Sequence, residues 1–261
     1  MNPQQFSMHA IKISLLVLSF FAPAGYAESD KSEKNKPVFS LGLGGIYAPK
    51  FSGADEYETL PIPVIFIQYN RLTVGGMSGI SYDIFRDDGI KAGVALGYFG
   101  GRDESDADYL RGMGDLSASA DLRIYVRRAF GPFYVAANIQ RDFSEDVGGI
   151  TSAVSAGYSY RVTPDFSLNT NISARWINDD YAAAMFGVTP QQAQGSGLPE
   201  TNAKAGVESG TLSLTALYSI NSRWTLTGTV SNTQFVGDAR QSPITREPNP
   251  TMFMTSMSYR F

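Results

Sequence analysis

The chain contains no cysteine, and its one histidine is His9. Without thiols there is no disulfide framework, no thiolate nucleophile and no cysteine-ligated metal. His9 falls in a segment that reads as a cleaved leader, so the mature chain has no imidazole either. Serine–histidine and cysteine–histidine nucleophile pairs are thereby excluded, and the expectation is a protein that is not an enzyme and needs no cofactor. Long apolar runs are also scarce. The most apolar stretch, Ile13 to Phe21, is about half the ~20 residues of a membrane helix.

That stretch has another use. Lys12 precedes it, and Pro23 and the small-residue site Gly25-Tyr26-Ala27 follow it. This is the layout of a secretory signal peptide over residues 1–27, with cleavage after Ala27. Residues 28–36 then read as a polar periplasmic tail, and 37–261 as one domain. Lys12 is the only charge among residues 1–27, which leaves 20 basic against 25 acidic groups in the remainder. That mild acidity argues against nucleic acid as a partner.

Strict alternation of apolar and polar residues fills the remainder. Leu116, Ala118, Ala120, Leu122, Ile124 and Val126 alternate with Ser117, Ser119, Asp121, Arg123, Tyr125 and Arg127. Phe166, Leu168, Ile172 and Trp176 alternate with Ser167, Asn169, Asn171, Ser173 and Arg175. The same period of two runs through 132–143, 149–162, 204–220 and 222–236. It ends on Phe253, Thr255, Met257, Tyr259 and Phe261, opposite Met252, Met254, Ser256, Ser258 and Arg260. A period of two means strands, each with one greasy and one polar face. An aromatic carboxyl-terminal strand is typical of bacterial outer-membrane barrels. Tyr259 and Phe261 are accordingly the candidate signal read by the barrel-assembly machinery.

Links between these runs largely alternate in length, with one exception, Ser144 to Gly148, which is short but must be external. Short ones occur at Arg86 to Gly89, Phe130 to Pro132, Thr163 to Asp165 and Asn221-Ser222, and long polar ones near 50–59, 101–114, 178–202 and 237–250. Short periplasmic turns and long external loops are the outer-membrane pattern. The expectation is an all-β, closed antiparallel transmembrane barrel of about 12 strands, the even number placing both ends in the periplasm. It would be an integral outer-membrane protein in contact with lipid and lipopolysaccharide. Expected strands are 39–48, 60–69, 71–76, 79–86, 90–100, 115–129, 132–143, 149–162, 165–177, 204–220, 222–236 and 251–261. Residues 71–86 read as two strands about a tip at Gly75 to Gly79, because a single bent strand would break the up–down order. Tyr98 and Trp176 are expected in an external aromatic girdle, and Phe133, Tyr160, Tyr218 and Trp224 in a periplasmic one.

Five charged residues form a candidate lumen network: Asp121 and Arg123 on one strand, with Arg127, Arg141 and Arg175. A satisfied structural network inside a small barrel outweighs a selectivity filter as its reading. The acidic run Asp103, Glu104, Asp106, Asp108 lacks the glycine and distal glutamate of a calcium loop and reads as a solvated loop. Asp179-Asp180-Tyr181 before Ala182 to Met185 reads as the acidic start of a short helix within a long loop.

Several ordered phrases resemble the MltA-interacting protein/OmpV family. They are Gly44 to Asp55 followed by Leu60-Pro61-Ile62-Pro63, Gly97 to Arg102 leading to Leu110 to Gly114, Asp180 to Pro199, Gly237-Asp238-Ala239 with Ser242-Pro243-Ile244, and the closing Ser258-Tyr259-Arg260-Phe261. The resemblance implies an outer-membrane barrel without catalytic residues. For the family's best-known branch it implies a scaffold bringing a murein lytic transglycosylase together with a penicillin-binding protein. The alternatives are a porin-like channel for small solutes and a surface adhesin or receptor acting through the long loops.

Overall fold

The computed structural model describes residues 36–75 and 79–261. The expected leader, most of the expected polar tail and the centre of the Gly75–Gly79 tip lie outside them. Twelve strands close into one antiparallel barrel in the order β1-β12-β11-β10-β9-β8-β7-β6-β5-β4-β3-β2. They are β1 (Val38–Pro49), β2 (Tyr57–Tyr69), β3 (Leu72–Gly75), β4 (Ile80–Asp87), β5 (Ile90–Phe99), β6 (Ser119–Phe130), β7 (Phe133–Asp142), β8 (Ile150–Thr163), β9 (Phe166–Ile177), β10 (Gly206–Ser219), β11 (Trp224–Phe235) and β12 (Thr251–Arg260). Among the described residues three short α-helices lie in the long loops, α1 (Asp179–Phe186), α2 (Pro190–Ser196) and α3 (Gly237–Gln241), with two 3-10 turns at Glu104–Asp106 and Asp108–Leu110. Among the described residues no helix is long and apolar enough to cross a membrane; the strands do so.

Each strand's period of two sorts its side chains by solvent, and the sorting is inverted relative to a water-soluble protein. Ile124 and Ile172 are each 61% exposed, while Asp121 and Glu208 are 1% and 2% exposed. An apolar exterior and a polar interior are stable only if hydrocarbon wets the outside. The protein is an integral barrel of the outer membrane.

Aromatic side chains mark the two edges of that apolar band. At the end with the chain termini, Phe261 packs on Phe39 (centroids 5.1 Å) and Tyr259 (4.9 Å), and Tyr259 on Trp224 (5.0 Å). Phe133, Tyr158 and Tyr160 continue the row. At the other end Tyr47 stacks on Tyr57 (5.0 Å), with Tyr98 and Trp176 exposed. The terminal strand closes the ring through pairs such as Leu41 with Tyr259 and Leu43 with Met257. Its aromatic end is therefore part of a wall, with both edges paired.

One hairpin is far shorter than the rest. β3 has 4 residues, whereas a membrane-crossing strand takes about 9–11. Gly75 stands at φ +120°, and a Cβ there would sit 1.7 Å from the Ile65 carbonyl oxygen. Only glycine can make that approach. Gly75 N–H donates to the Gly79 carbonyl (2.8 Å), and the chain turns back there.

Candidate functional site

Inward-facing positions of β6, β7, β9 and β10 place charges at one level of the lumen. Asp121 lies 3.7 Å from Arg123, and Arg123 donates through Nε and Nη2 to Oε1 of Gln140. Arg175 pairs with Glu208 at 2.9 Å, both nearly buried, and its guanidinium lies 4.8 Å from the Tyr181 ring centroid. Asp142 accepts from Ser119 (2.6 Å) and from the Ser144 backbone N–H (2.8 Å). Toward the periplasm, Arg127 lies 4.4 Å from the Tyr134 ring centroid, and Asn171 Nδ2 donates to the Tyr134 hydroxyl. Tyr125 donates to Asp83 (2.6 Å), which also pairs with Arg86 (3.1 Å).

Four of the five residues expected in the lumen are there: Asp121, Arg123, Arg127 and Arg175. Arg141 is not. It is exposed and shares the outward face of β7 with Val135 and Ile139, while Gln140 and Asp142 on either side are buried. A period of two leaves no other placement. Glu208, the partner of Arg175, escapes a reading by alternation because a bulge between Val207 and Ser209 shifts the register of β10 against β9. Both Glu208 and Ser209 are buried as a result.

Above this lattice the external loops share two cores. One joins Val147, Ile177, Phe235 and Ala203 to Tyr181, Ala182, Met185 and Phe186 of α1, with Phe99 against it. Phe99 ends β5 and Phe235 ends β11, six strands apart in a ring of twelve. The cluster on α1 therefore crosses the full width of the mouth. The second core takes Phe51 and Ala54 from the β1–β2 loop, Leu110 and Met113 from β5–β6, Val188 and Leu198 from β9–β10, and Ile244 from β11–β12. Gly112 and Gly195 let two of these loops touch backbone to backbone, since a Cβ on Gly112 would lie 2.4 Å from the Gly195 carbonyl carbon.

Arg102 is sealed between the two cores at 1% exposure, donating Nη1 to the Met185 carbonyl (3.1 Å) with its guanidinium 6.0 Å from the Phe51 ring centroid. Burial pulls its pKa down to about 10. Burial likewise pushes Tyr109 up to about 12, its hydroxyl donating to the Ile244 carbonyl. Nothing in the sequence period marks Arg102, because it lies in a loop.

The acidic run of the β5–β6 loop holds backbone rather than solvent alone. Glu104 accepts the Gly112 and Gly114 N–H groups, and Asp106 accepts that of Asp103. The helix expected at Asp179 is α1, with Asn178 accepting from Tyr181 N–H as its cap. The arrangement is a polar-lined barrel whose external loops pack over its mouth, with Arg175 paired to Glu208 and Arg102 bonded into the loop layer.

A sequence model of the family described as MltA-interacting protein MipA matches residues 41–261. No curated protein matches the chain. Among solved structures, the NanC porin is similar with a TM-score of 0.47 and 11% identity, covering 85% of this chain and 100% of that one. The KdgM porin gives 0.40 and 12%, covering 85% and 99%. The outer-membrane channel DcaP of Acinetobacter baumannii gives 0.40 and 9%, covering 87% and 96%. Similarity at this level says nothing about what passes through, or binds to, the present barrel.

Proposed function

From the premise that the chain belongs to the MltA-interacting protein MipA family, we propose that it is a non-enzymatic anchor at the inner face of the outer membrane. It holds a murein lytic transglycosylase there and brings it together with a penicillin-binding protein for peptidoglycan remodelling. The observation that carries this reading is the stopper. Apolar residues of the external loops pack across the whole mouth, with Ala182, Phe186, Leu110 and Ile244 at 0% exposure. Loops packed in this way oppose passage of solutes, which favours the periplasmic rim as the working surface. That rim exposes Arg71, Arg128, Arg161, Arg223 and Arg260 against Asp87, Asp88 and Asp165, a cationic bias suited to an acidic partner or to peptidoglycan carboxylates. Tethering needs no chemistry, since two enzymes held at one place raise each other's effective concentration.

The test is copurification from native outer membranes followed by mass spectrometry. A lytic transglycosylase should be enriched with the wild-type barrel and reduced with the Arg161→Glu, Arg260→Glu pair. Absence of any transglycosylase from the wild-type eluate would overturn the reading. A second reading, a channel for small solutes, draws support from the Ser, Thr and Asn lining below the stopper. Steady single-channel conductance of the wild-type protein in planar bilayers would favour it.

A further inference from the structure

The short hairpin leaves a gap in the wall. On one side β2 pairs with β1 from Val38 with Gln68 to Pro49 with Tyr57, nearly its full length. On the other side it pairs with β3 only from Phe66 to Tyr69. Among the described residues, no backbone hydrogen bond reaches the second edge of β2 between Tyr57 and Ile65. β5 keeps its partner β4 up to Leu96. The opening is thus a wedge, deepest along β2.

The wedge lies at hydrocarbon level. Tyr57, in the external girdle, and Tyr69, exposed at the periplasmic end, bracket β2, and its outward positions between them include Pro61, Pro63, Ile65 and Ile67. A bare sheet edge does not survive in hydrocarbon, where each unsatisfied backbone group costs several kcal/mol. The chemistry of this edge is one-sided. The Ile65 carbonyl points toward β3 and the Leu60 carbonyl toward β1, so odd-numbered residues of β2 turn their backbone groups to the wedge. Two of those are Pro61 and Pro63, which have carbonyls but no N–H. The edge offers acceptors and few donors, and it cannot template another strand.

Behind the edge the lumen wall changes character. Leu60 and Ile62 pack with Ile46, Met252 and Met254, at the level where Ile46 pairs with Leu60 and Gly44 with Ile62. The opposite inner wall, on β7 and β8, presents Asn138, Gln140 and Thr151. This apolar cluster begins at the open edge and continues across β1 to β12.

We infer that the wedge between β2 and the β3–β4 hairpin is a lateral portal for an outer-leaflet amphiphile that carries hydroxyl or amide donors at the root of an acyl chain. Its donors bond the carbonyls of Thr59, Pro61 and Pro63, which have no partner among the described residues. Its chain passes through the wall onto Leu60, Ile62, Met252 and Met254, under the stopper. An acyl chain fits this patch because both the patch and its approach from the bilayer are apolar. The donors fit because the edge has more acceptors than donors.

The test uses the wild-type barrel in vesicles of phosphatidylethanolamine and phosphatidylglycerol. The probe is a hydroxylated fatty amide with a diazirine in its chain, photolysed in place, and adducts are mapped by peptide mass spectrometry. Adducts should fall several-fold more often on Leu60, Ile62, Met252 and Met254 than on Asn138, Gln140 and Thr151 of the opposite wall. Labelling confined to outward residues such as Ile65 and Val135, or spread evenly over the inner wall, would overturn the portal. The methyl ester of the same chain, which has no donors, should label the inner patch several-fold less; equal labelling would overturn the role of the carbonyl edge.

Discussion

Arg175 and Glu208 show how a barrel interior sets the fate of single residues. Both are nearly buried, 2.9 Å apart, with Arg175 also against the Tyr181 ring. Two charges taken from water repay their desolvation only while each has the other, and removing one partner of a buried pair costs about 3–5 kcal/mol. Replacing the pair together by apolar groups of similar volume costs far less. Glu208→Leu alone should therefore lower the stability of the refolded barrel to urea by about 3–5 kcal/mol, and the Glu208→Leu, Arg175→Met double variant should recover most of it. A double variant no better than the single one would mean that the pair is not coupled. Only half of this pair was legible beforehand. Arg175 follows from alternation in β9, but the bulge that turns Glu208 inward has no signature in a period of two. Arg141 errs for a related reason. Charge placed it with the lumen residues, while its parity with Val135 and Ile139 places it outside, and parity wins because the pleat admits no exception without a bulge.

Strands were the most readable level, since each carries the same message several times over. The observed bounds sit within a few residues of the expected ones, and the split of 71–86 into β3 and β4 is present. What alternation does not convey is pairing, and β2 is where that matters. Its pattern gives no hint that most of one edge has no partner among the described residues. Pro61 and Pro63 were visible, yet their meaning depends on which way their nitrogens face. Because those nitrogens face the wedge, the prolines cost the β1 ladder nothing and deprive a would-be neighbour of two donors. Replacing both with valine should leave the barrel folded and its heat-modifiable mobility on gels unchanged. It should also raise the fraction of dimers captured by chemical cross-linking in vesicles, through pairing of β2 edges. An unchanged monomer fraction would show that the edge is guarded by something other than missing donors.

At the scale of the whole molecule, the external loops behave as a second folded layer seated on the barrel. Sequence identified them as long and polar and placed them outside. It could not identify their common core, because Phe51, Leu110, Met113, Val188, Leu198 and Ile244 are scattered singly among polar neighbours in four loops. No period links such residues, and only the closed ring brings the loops within reach of each other. The strands do not depend on that layer for pairing: β9 and β10 are held by an extended ladder from Gly206 with Ile177 to Tyr218 with Phe166. Excising 179–200 and joining the ends with a short glycine–serine linker should therefore leave a folded barrel. The same excision removes α1 and α2, and with them the Met185 carbonyl that receives Arg102 and the side chains that bridge Phe99 to Phe235. With the span across the mouth gone, the polar lumen faces both compartments, and steady conductance should appear in planar bilayers, where the intact chain is expected to show none. A silent deletion variant would move the block from the stopper to the lattice of Asp121, Arg123, Gln140, Arg175 and Glu208. Opening the pore would then require neutralising those groups rather than trimming loops.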